Sequence, residues 1–342
     1  MCVCVCVTVC ITGNDFESVG SDVFEVARWW DDRVALHINL SYCGIRYLGE
    51  HVFRPIPHLR SLSLEGNLRL RSADLQLALA GIQSSPTALD TVILSHANVT
   101  DVQSLVRRLQ AATNITRLEL AYNRISVVPQ RTFFFLSALR HLDLSHNEIE
   151  RVDGLSGLAR LEYLGLAFNS LERLESSMFE GLHELRHLDV SYNAIDGDLD
   201  TEALLGLFNL RSVDVSGNRV SSVVLDGGGL ESLEQLTASW NRLSDVRFVG
   251  RLPRLRSVDL SHNAIARLPD DLFPLGQRIE LLNLSGNTIS GDVSAAALRR
   301  ASFGTVDLSW NRLTTLDDVG WKSADVLLAH DNDITQVCGL LR

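Results

Sequence analysis

Residues 141–147 read HLDLSHN, residues 187–193 read HLDVSYN and residues 257–263 read SVDLSHN. In each segment two aliphatic residues stand two positions apart, and an asparagine follows three positions after the second. The pattern L-x-x-L-x-L-x-x-N-x-L can be aligned thirteen times, with a mean step of about 24 residues. A repeat of this length predicts a solenoid in which each copy forms one turn. The asparagine slot falls, in order, at Cys43, Asn67, Ala97, Asn123, Asn147, Asn169, Asn193, Asn218, Asn241, Asn263, Asn287, Asn311 and Asn332.

Each x-L-x-L-x stretch predicts a short β-strand, because alternate side chains of a strand point to opposite faces. The position five residues before the slot is aliphatic in all thirteen copies, from Ile38 to Leu327. One turn cannot bury its own apolar face, so the turns must stack into a parallel sheet over a continuous core. The slot asparagine carries two donors and an acceptor, which suits it to pair with backbone groups where the chain leaves the strand.

One turn departs from this pattern at its slot. Ala97 cannot make the hydrogen bonds of an asparagine, and the step from Asn67 to Ala97 is the longest, at 30 residues. We therefore expect a local irregularity in the third turn.

Several turns carry a phenylalanine and a leucine three residues apart on the outer side, as in Phe133 with Leu136 and Phe179 with Leu182. With these motifs, residues 35–334 resemble the extracellular leucine-rich repeat family, especially the ectodomains of Toll-like receptors and chaoptin-type adhesion proteins. The resemblance implies an α/β solenoid of about 13 turns. This leucine-rich repeat horseshoe has a parallel β-sheet on the concave face and loops, short helices or 3-10 turns on the convex face. The resemblance does not identify a ligand, because this fold serves many functions.

The chain is predicted to consist of three segments. Residues 1–12 are apolar and cysteine-rich, but they lack the basic leading residues and the small-x-small cleavage site of a signal peptide. Three interpretations stay open for them: a truncated or atypical signal, a strand or disulfide-bearing cap, and an artefact of the gene model. Residues 13–34 are expected to cap the first turn with an amphipathic helix that begins at Ser21. Residues 35–342 are the expected solenoid, without a recognisable C-terminal cap, which suggests a fragment.

Composition and charge exclude several classes of protein. Hydrophobic residues make up 46% and charged residues 21%, which is typical of a folded chain. The formal net charge of −11 opposes the phosphates of a nucleic acid. No apolar run reaches the roughly 20 residues of a membrane-spanning helix. We therefore expect no nucleic-acid ligand and no membrane span in this chain.

One stretch matches a catalytic motif, since residues 183–187 read H-E-x-x-H, which binds zinc when it lies on a helix. Here Leu185 opens a predicted strand, so we expect no zinc site. Acidic residues alternate between Asp196 and Glu202 as in a calcium loop, but Thr201 replaces the glycine of the tight turn. The cysteine spacing also fits no zinc site. We expect no catalytic residues, no metal and no cofactor.

The concave face is the expected binding surface. The residue four before the slot is often aspartate, and the residue one before it is often aromatic or histidine. Exposed aromatic side chains often anchor protein partners, although rings here also suit simple stacking between turns. Adjacent aspartates such as Asp189 and Asp214 repel unless a cation or a donor intervenes. The predicted partner-binding residues are Arg117, Tyr122, His141, Asp143, His146, Tyr163, Phe168, His187, Asp189, Tyr192, Asp214 and Trp240.

Four N-x-S/T sequons point to the secretory pathway if they are used; the predicted glycan acceptors are Asn39, Asn98, Asn114 and Asn283. We predict a non-enzymatic, extracellular or cell-surface module of receptor or adhesion type. It would recognise a protein ligand or co-receptor along its concave sheet, with a glycan ligand and a dimer as open alternatives. The alternative function is a cytosolic leucine-rich repeat scaffold or regulatory subunit in the cytoplasm.

Overall fold

The computed structural model describes residues 6–24, 35–54, 56, 58–80, 82, 89–175, 177–204, 206–224, 230–291, 298, 300–316 and 324–336. The chain divides into two compact units. The first is Met1–Leu171 with Ser177–Leu185, and the second is Glu172–Ser176 with Arg186–Arg342. Numbered by their slots, turns 1–6 lie in the first unit and turns 7–13 in the second.

The first unit is a stack of parallel strands. Outside this sheet, Ser18–Val19 pairs with Tyr47–Leu48, and Val127–Val128 pairs with Arg151–Val152. The helices are α1 (Ser72–Leu79) and α2 (Val102–Arg108). The strands of the stack, in order, are Cys6–Cys10, Ala35–Asn39, Leu59–Ser63, Thr91–Ile93, Arg117–Glu119, His141–Asp143 and Tyr163–Gly165.

The second unit has the same architecture. Asp196–Asp200 pairs with Arg219–Val224, and Ser290–Gly291 pairs with Arg312–Leu313, away from the main sheet. Short 3-10 helices span Thr201–Leu204 and Arg247–Arg251. The strands of its sheet are His187–Asp189, Ser212–Asp214, Gln235–Thr237, Ser257–Asp259, Arg278–Asn283, Ser302–Asp307 and Ala324–Leu328.

The core follows the repeat pattern. The aliphatic residue five before the slot is buried in turns 1–12, and Leu327 of turn 13 is half-buried. On the outer side, Phe133 and Phe179 are at most 1% exposed. The predicted leucine-rich repeat solenoid, with a parallel sheet on one face and short helices and turns elsewhere, is therefore confirmed.

The slot asparagines join consecutive turns. Asn147 Nδ2 donates to the carbonyl oxygens of Leu144, at 2.9 Å in its own turn, and of Leu120, at 3.0 Å in the turn before. Asn147 Oδ1 accepts the backbone N–H of Ile125 at 3.0 Å. Most other slot asparagines make the equivalent hydrogen bonds, so one side chain satisfies backbone groups of two turns that would otherwise be buried without partners.

Turns 1 and 3 have no asparagine in the slot, and the hydrogen bonds found there differ from those of the other turns. Cys43 Sγ donates to the carbonyl oxygen of Ile11 at 2.8 Å, which is the cross-turn bond that an asparagine amide makes elsewhere. Ala97 has no donor to offer, and the neighbouring Asn98 instead donates to the carbonyl oxygen of Leu70 at 3.2 Å. The long step before Ala97 contains helix α1, whereas the strand Thr91–Ile93 stays in register with both of its neighbours, so the irregularity expected in the third turn does not reach the sheet.

The structure contains a turn that the pattern search missed. Residues 8–16 read TVCITGNDF, with Asn14 in the slot and Val9 facing Ile38 of turn 1. Gly13 has a φ of 72°, and Asn14 Nδ2 donates to the carbonyl oxygens of Ile11 at 3.0 Å and Thr12 at 3.4 Å. This turn 0 escaped detection because it contains no leucine. It joins residues that the sequence analysis assigned to the segments 1–12 and 13–34.

Other expectations about the ends of the chain stay predictions. A signal function of residues 1–12 is not tested by the geometry. Ser21 lies in a turn, and most of the expected capping helix falls on residues 25–34, outside the described residues. Residues 337–342, at the end without an expected cap, also lie outside them.

Turn 0 can be tested by the side chain in its slot. Replacing Asn14 with alanine removes two hydrogen bonds to backbone carbonyls and should lower the free energy of unfolding by about 1 kcal/mol. Asn147→Ala should cost about 3 kcal/mol, because it leaves buried groups of two turns unpaired. Urea unfolding of the purified chain measures both changes in the free energy of unfolding. Leu275→Ala, at an 81% exposed position outside any slot, is the control, and an Asn14→Ala variant as stable as wild type would contradict turn 0.

Candidate functional site

The candidate site is built on the ring column, defined as the residues one position before the slots. All of them have left-handed backbone, with φ between 51° and 74°. This conformation costs a residue other than glycine about 1–2 kcal/mol. The tight turn that brings the slot asparagine back onto the strand requires it, so the residues of the column share one backbone conformation. The ring column consists of Tyr42, Gly66, His96, Tyr122, His146, Phe168, Tyr192, Gly217, Trp240, His262, Gly286, Trp310 and Asp331.

In the first unit the rings from His96 to Phe168 form a continuous stack, and Gly66 interrupts the column after Tyr42. Tyr122 lies 4.2 Å from His96 and 3.9 Å from His146, between ring centroids, with interplanar angles of 13° and 9°. Phe168 stacks on His146 at 4.2 Å. Tyr122 is still 47% exposed and Phe168 43% exposed. The two interpretations of these rings are therefore compatible, since the faces stabilise the turn stack and the edges face solvent.

In the second unit glycine interrupts the column. The ring of Tyr192 lies over Gly217, where a Cβ atom would stand 2.6 Å from a Tyr192 ring carbon. The next ring, Trp240, stacks on His262 at 3.9 Å and is 58% exposed. His96 and His262 were not among the predicted site residues, although their place in the column could have shown that they belong to it.

A second row lies six residues before the slots. His141 stacks on Tyr163 with centroids 4.3 Å apart and an interplanar angle of 8°. Burial, together with the nearby Arg117 guanidinium, lowers the pKa of His141 below its ordinary value. Arg117 is paired with Glu119 on its own strand. In the second unit, His187 is exposed at the start of its strand.

The predicted aspartates have a structural task that the sequence analysis missed. Asp143, Asp189 and Asp214 each accept, through Oδ1, the backbone N–H of the serine two residues later, at 2.9–3.0 Å. These bonds close the turn in the way of an Asx turn. The recurring D-x-S spacing was the available signal. Each carboxylate has a second oxygen, so the aspartates hold the turn and also give the concave face negative charge.

One carboxylate of the second unit, that of Asp214, is perturbed by its surroundings. Asp189 and Asp214 face each other on adjacent strands. Burial raises the pKa of Asp214 above its ordinary value, and the neighbouring carboxylates of Asp189 and Asp259 raise it further. No cation pairs with Asp214 within the described residues. The repulsion predicted for this pair is therefore present and uncompensated by charge.

The four predicted glycan acceptors occupy different environments. Asn39 and Asn283 lie in strands, and their Oδ1 atoms accept the backbone N–H of Ser41 and Ser285, as the aspartates do. Their N-L-S sequons are thus also copies of the repeat pattern. Asn98 is half-buried and donates to the carbonyl oxygen of Leu70. Asn114 is exposed in a turn, which is the environment that suits a glycan.

The rejected catalytic motif has no helical geometry here. His183 lies in a turn and His187 in a strand, so they cannot share one face of a helix. The acidic segment from Asp196 forms a strand, in which Asp198 accepts a hydrogen bond from Ser222 Oγ at 2.5 Å. In the described part of the chain, no three histidine, cysteine or acidic side chains are grouped to hold a metal. The same part contains no helix long and apolar enough to cross a membrane.

Comparison with known proteins agrees with this geometry. The leucine rich repeat family model matches residues 113–171 and 159–220. Mouse Tsukushi is 38% identical over 112 residues, which cover 30% of this chain and 31% of Tsukushi. The zebrafish transforming growth factor beta activator LRRC33 is 27% identical over 289 residues, covering 82% of this chain and 38% of that protein. The chain thus spans less than half the length of these relatives.

Solved structures show the same fold. A chain of the Drosophila Toll–Spatzle complex aligns with a TM-score of 0.70 at 22% identity, over 91% of this chain and 41% of that one. A chain of the LRIM1/APL1C complex aligns with a TM-score of 0.67 at 20% identity, over 95% of this chain and 53% of that one. The chain is a leucine-rich repeat solenoid, and its predicted resemblance to the Toll-like and related leucine-rich repeat proteins is confirmed.

Proposed function

We propose that this protein is a non-enzymatic, extracellular module that recognises a protein partner along the concave face of its sheet. The observation that carries the proposal is the ring column, in which large aromatic side chains are stacked, held by left-handed backbone and still exposed. Exposed Tyr and Trp side chains are frequent anchors in protein interfaces.

The rigidity of the column favours binding. A side chain that is mobile before binding loses about 0.5–1.5 kcal/mol when it becomes fixed in an interface. The Tyr122 ring is already sandwiched between His96 and His146, so little further entropy is lost. The polar rows beside the column, with Asp143 and Arg117, supply hydrogen-bonding groups that give such a surface specificity.

The comparisons support this function and a location outside the cell. The Toll structure contains Spatzle as a bound partner and is a glycosylated form. LRIM1 and APL1C form a complex with each other, and one curated relative is named an activator of transforming growth factor beta. We extend protein binding from these proteins to this chain. A glycan ligand and a dimer rest on no specific contact in the structure.

Removing exposed rings should weaken partner binding. Tyr192→Ala and Trp240→Ala should each lower affinity more than tenfold, since each deletes a large anchoring side chain. Partners are first selected from a panel of purified secreted and cell-surface proteins, and surface plasmon resonance then gives the Kd.

Phe208→Ala is the matched control, because Phe208 is 64% exposed but lies outside the ring column. This variant should bind like wild type. Equal affinity of all three variants would place the contact elsewhere and contradict the proposal.

The location can be tested through glycosylation. When the chain is expressed in animal cells with its own N-terminus, we expect secretion, with a glycan on the exposed Asn114 and none on Asn39 or Asn283, whose side chains close strand ends. Glycopeptide mass spectrometry of the medium measures occupancy. An unmodified chain retained in the cytosol would contradict the extracellular proposal and favour the cytosolic scaffold or regulatory subunit.

A further inference from the structure

Two glycines leave indole faces uncovered in the second unit. Gly217 of turn 8 precedes Trp240 of turn 9, and Gly286 of turn 11 precedes Trp310 of turn 12. One face of Trp240 is covered by His262, but the column residue of turn 8, Gly217, has no side chain to cover the other face. Among the described residues, no second ring contacts this indole. Trp240 and Trp310 are 58% and 62% exposed, the highest values among the tyrosine, phenylalanine and tryptophan rings of the column.

Gly217 leaves turn 8 without a side chain beside the Trp240 indole, and a larger residue would not fit in this gap. The φ of Gly217, 65°, is left-handed, and a Cβ atom at this position would stand 2.6 Å from the ring of Tyr192. The ring of Tyr192 therefore lies over the backbone of turn 8, where the other turns of the unit mostly carry a ring of their own. The gap lies between the Tyr192 ring on one side and the Trp240 indole on the other.

The gap at Gly217 belongs to a turn whose strand carries an acidic residue. Asp214 lies three residues before Gly217 on the same turn, and Asp189 faces it on the adjacent strand. The carboxylate of Asp214 is half-buried, no cation pairs with it within the described residues, and its raised pKa reflects burial and the nearby Asp189 and Asp259. A cation bound here would offset this repulsion, whereas a neutral guest would not.

We propose that the gap at Gly217 binds the guanidinium group of an arginine from a protein partner, stacked on Trp240 and paired with Asp214. This inference rests on the proposed protein-binding function and names the chemistry of its contact. Arginine fits better than lysine because a guanidinium is planar, stacks on aromatic faces and offers its donors in a flat fork. Charge disfavours a sugar, which would leave the carboxylates unpaired.

The test uses small probes, so that it does not depend on a known partner. The full chain is labelled with 15N-tryptophan, and the indole N–H signal of Trp240 is assigned by its loss in Trp240→His. The signal is followed by NMR while N-acetyl-arginine amide, N-acetyl-citrulline amide or N-acetyl-lysine amide is added. Citrulline has nearly the shape of arginine without the charge. We expect saturable shifts with the arginine amide and at least fivefold weaker binding of the other two.

Asp214→Asn tests the ion pair while an asparagine can still accept the Ser216 N–H that closes the turn. Asn39 and Asn283 show that an asparagine at this position can accept the serine N–H. The variant should bind the arginine amide at least fivefold more weakly and bind the citrulline amide as wild type does. Asp307→Asn is the matched control, because Asp307 faces Asn283 and Leu328, not another acid. It should leave both affinities unchanged.

The fold of Asp214→Asn is checked by its thermal stability. Because folding raises the pKa of Asp214, the protonated form is favoured in the folded state, and stability is lost as the pH rises through that pKa. At pH 7 the variant should therefore have a higher Tm than wild type, and at pH 3 this gain should disappear. A lower Tm at pH 7 would contradict the electrostatic argument.

Three outcomes overturn the proposal: equal binding of arginine and citrulline amides, equal binding of arginine and lysine amides, or no effect of Asp214→Asn. A shift of Trp240 by methyl glucoside with none by the arginine amide would also overturn it, in favour of a sugar. The results distinguish a failure of the arginine contact from a failure of the proposed protein-binding function. Loss of partner binding in Tyr192→Ala and Trp240→Ala with no guanidinium binding refutes the arginine contact alone, whereas guanidinium binding with unchanged partner affinity refutes the concave protein site.

Discussion

The hydrogen bonds of the slot asparagine determine the rest of the structure. Asn147 shows the constraint, because its amide nitrogen bonds carbonyl groups of its own turn and the previous one, while its oxygen accepts an N–H from the previous turn. These bonds form only when the chain bends sharply back after the strand and when neighbouring turns are in register. Where the asparagine is absent, the cross-turn contact changes: the thiol of Cys43 makes the bond that an asparagine amide makes elsewhere, and the side chain next to Ala97 bonds a different carbonyl, that of Leu70.

The same bend explains the candidate site. The residue before the asparagine must adopt left-handed backbone, which favours glycine, yet ten of the thirteen positions from Tyr42 to Asp331 carry larger side chains. Nine of these are aromatic or histidine, and their contacts with the next turn offset part of the backbone cost in the first unit, where His96, Tyr122, His146 and Phe168 stack. Trp240 and Trp310 follow glycines, so no column ring of the turn before stacks on them, and one indole face is left for the proposed partner.

The repeat period was enough to predict most strands and the buried aliphatic positions, because these depend on spacing alone. Turn 0 was missed because Cys6 and Phe16 occupy the first and last leucine positions of the pattern around Asn14. Its inward positions Val9 and Ile11 still suit a parallel strand, in which β-branched residues are favoured. The backbone conformation of the ring column was also missed, although glycine at Gly66, Gly217 and Gly286 signalled a left-handed position. The stacking of particular rings could not be predicted, since it depends on the tilt of each side chain across turns.

Asp143 and Asp214 show why function cannot be assigned from column positions alone. Both carboxylates accept a serine N–H and so serve the fold, and this would explain their recurrence without any partner. Asparagine makes the same bond at positions 39 and 283, so the hydrogen bond alone does not require a negative charge. In turns 7, 8 and 10 the chain nevertheless carries aspartate, which sets like charges close together around Asp214 and raises its pKa. The turn does not need this charge, and the indole of the next turn has one face that no ring covers; the proposed contact with a cation would use both.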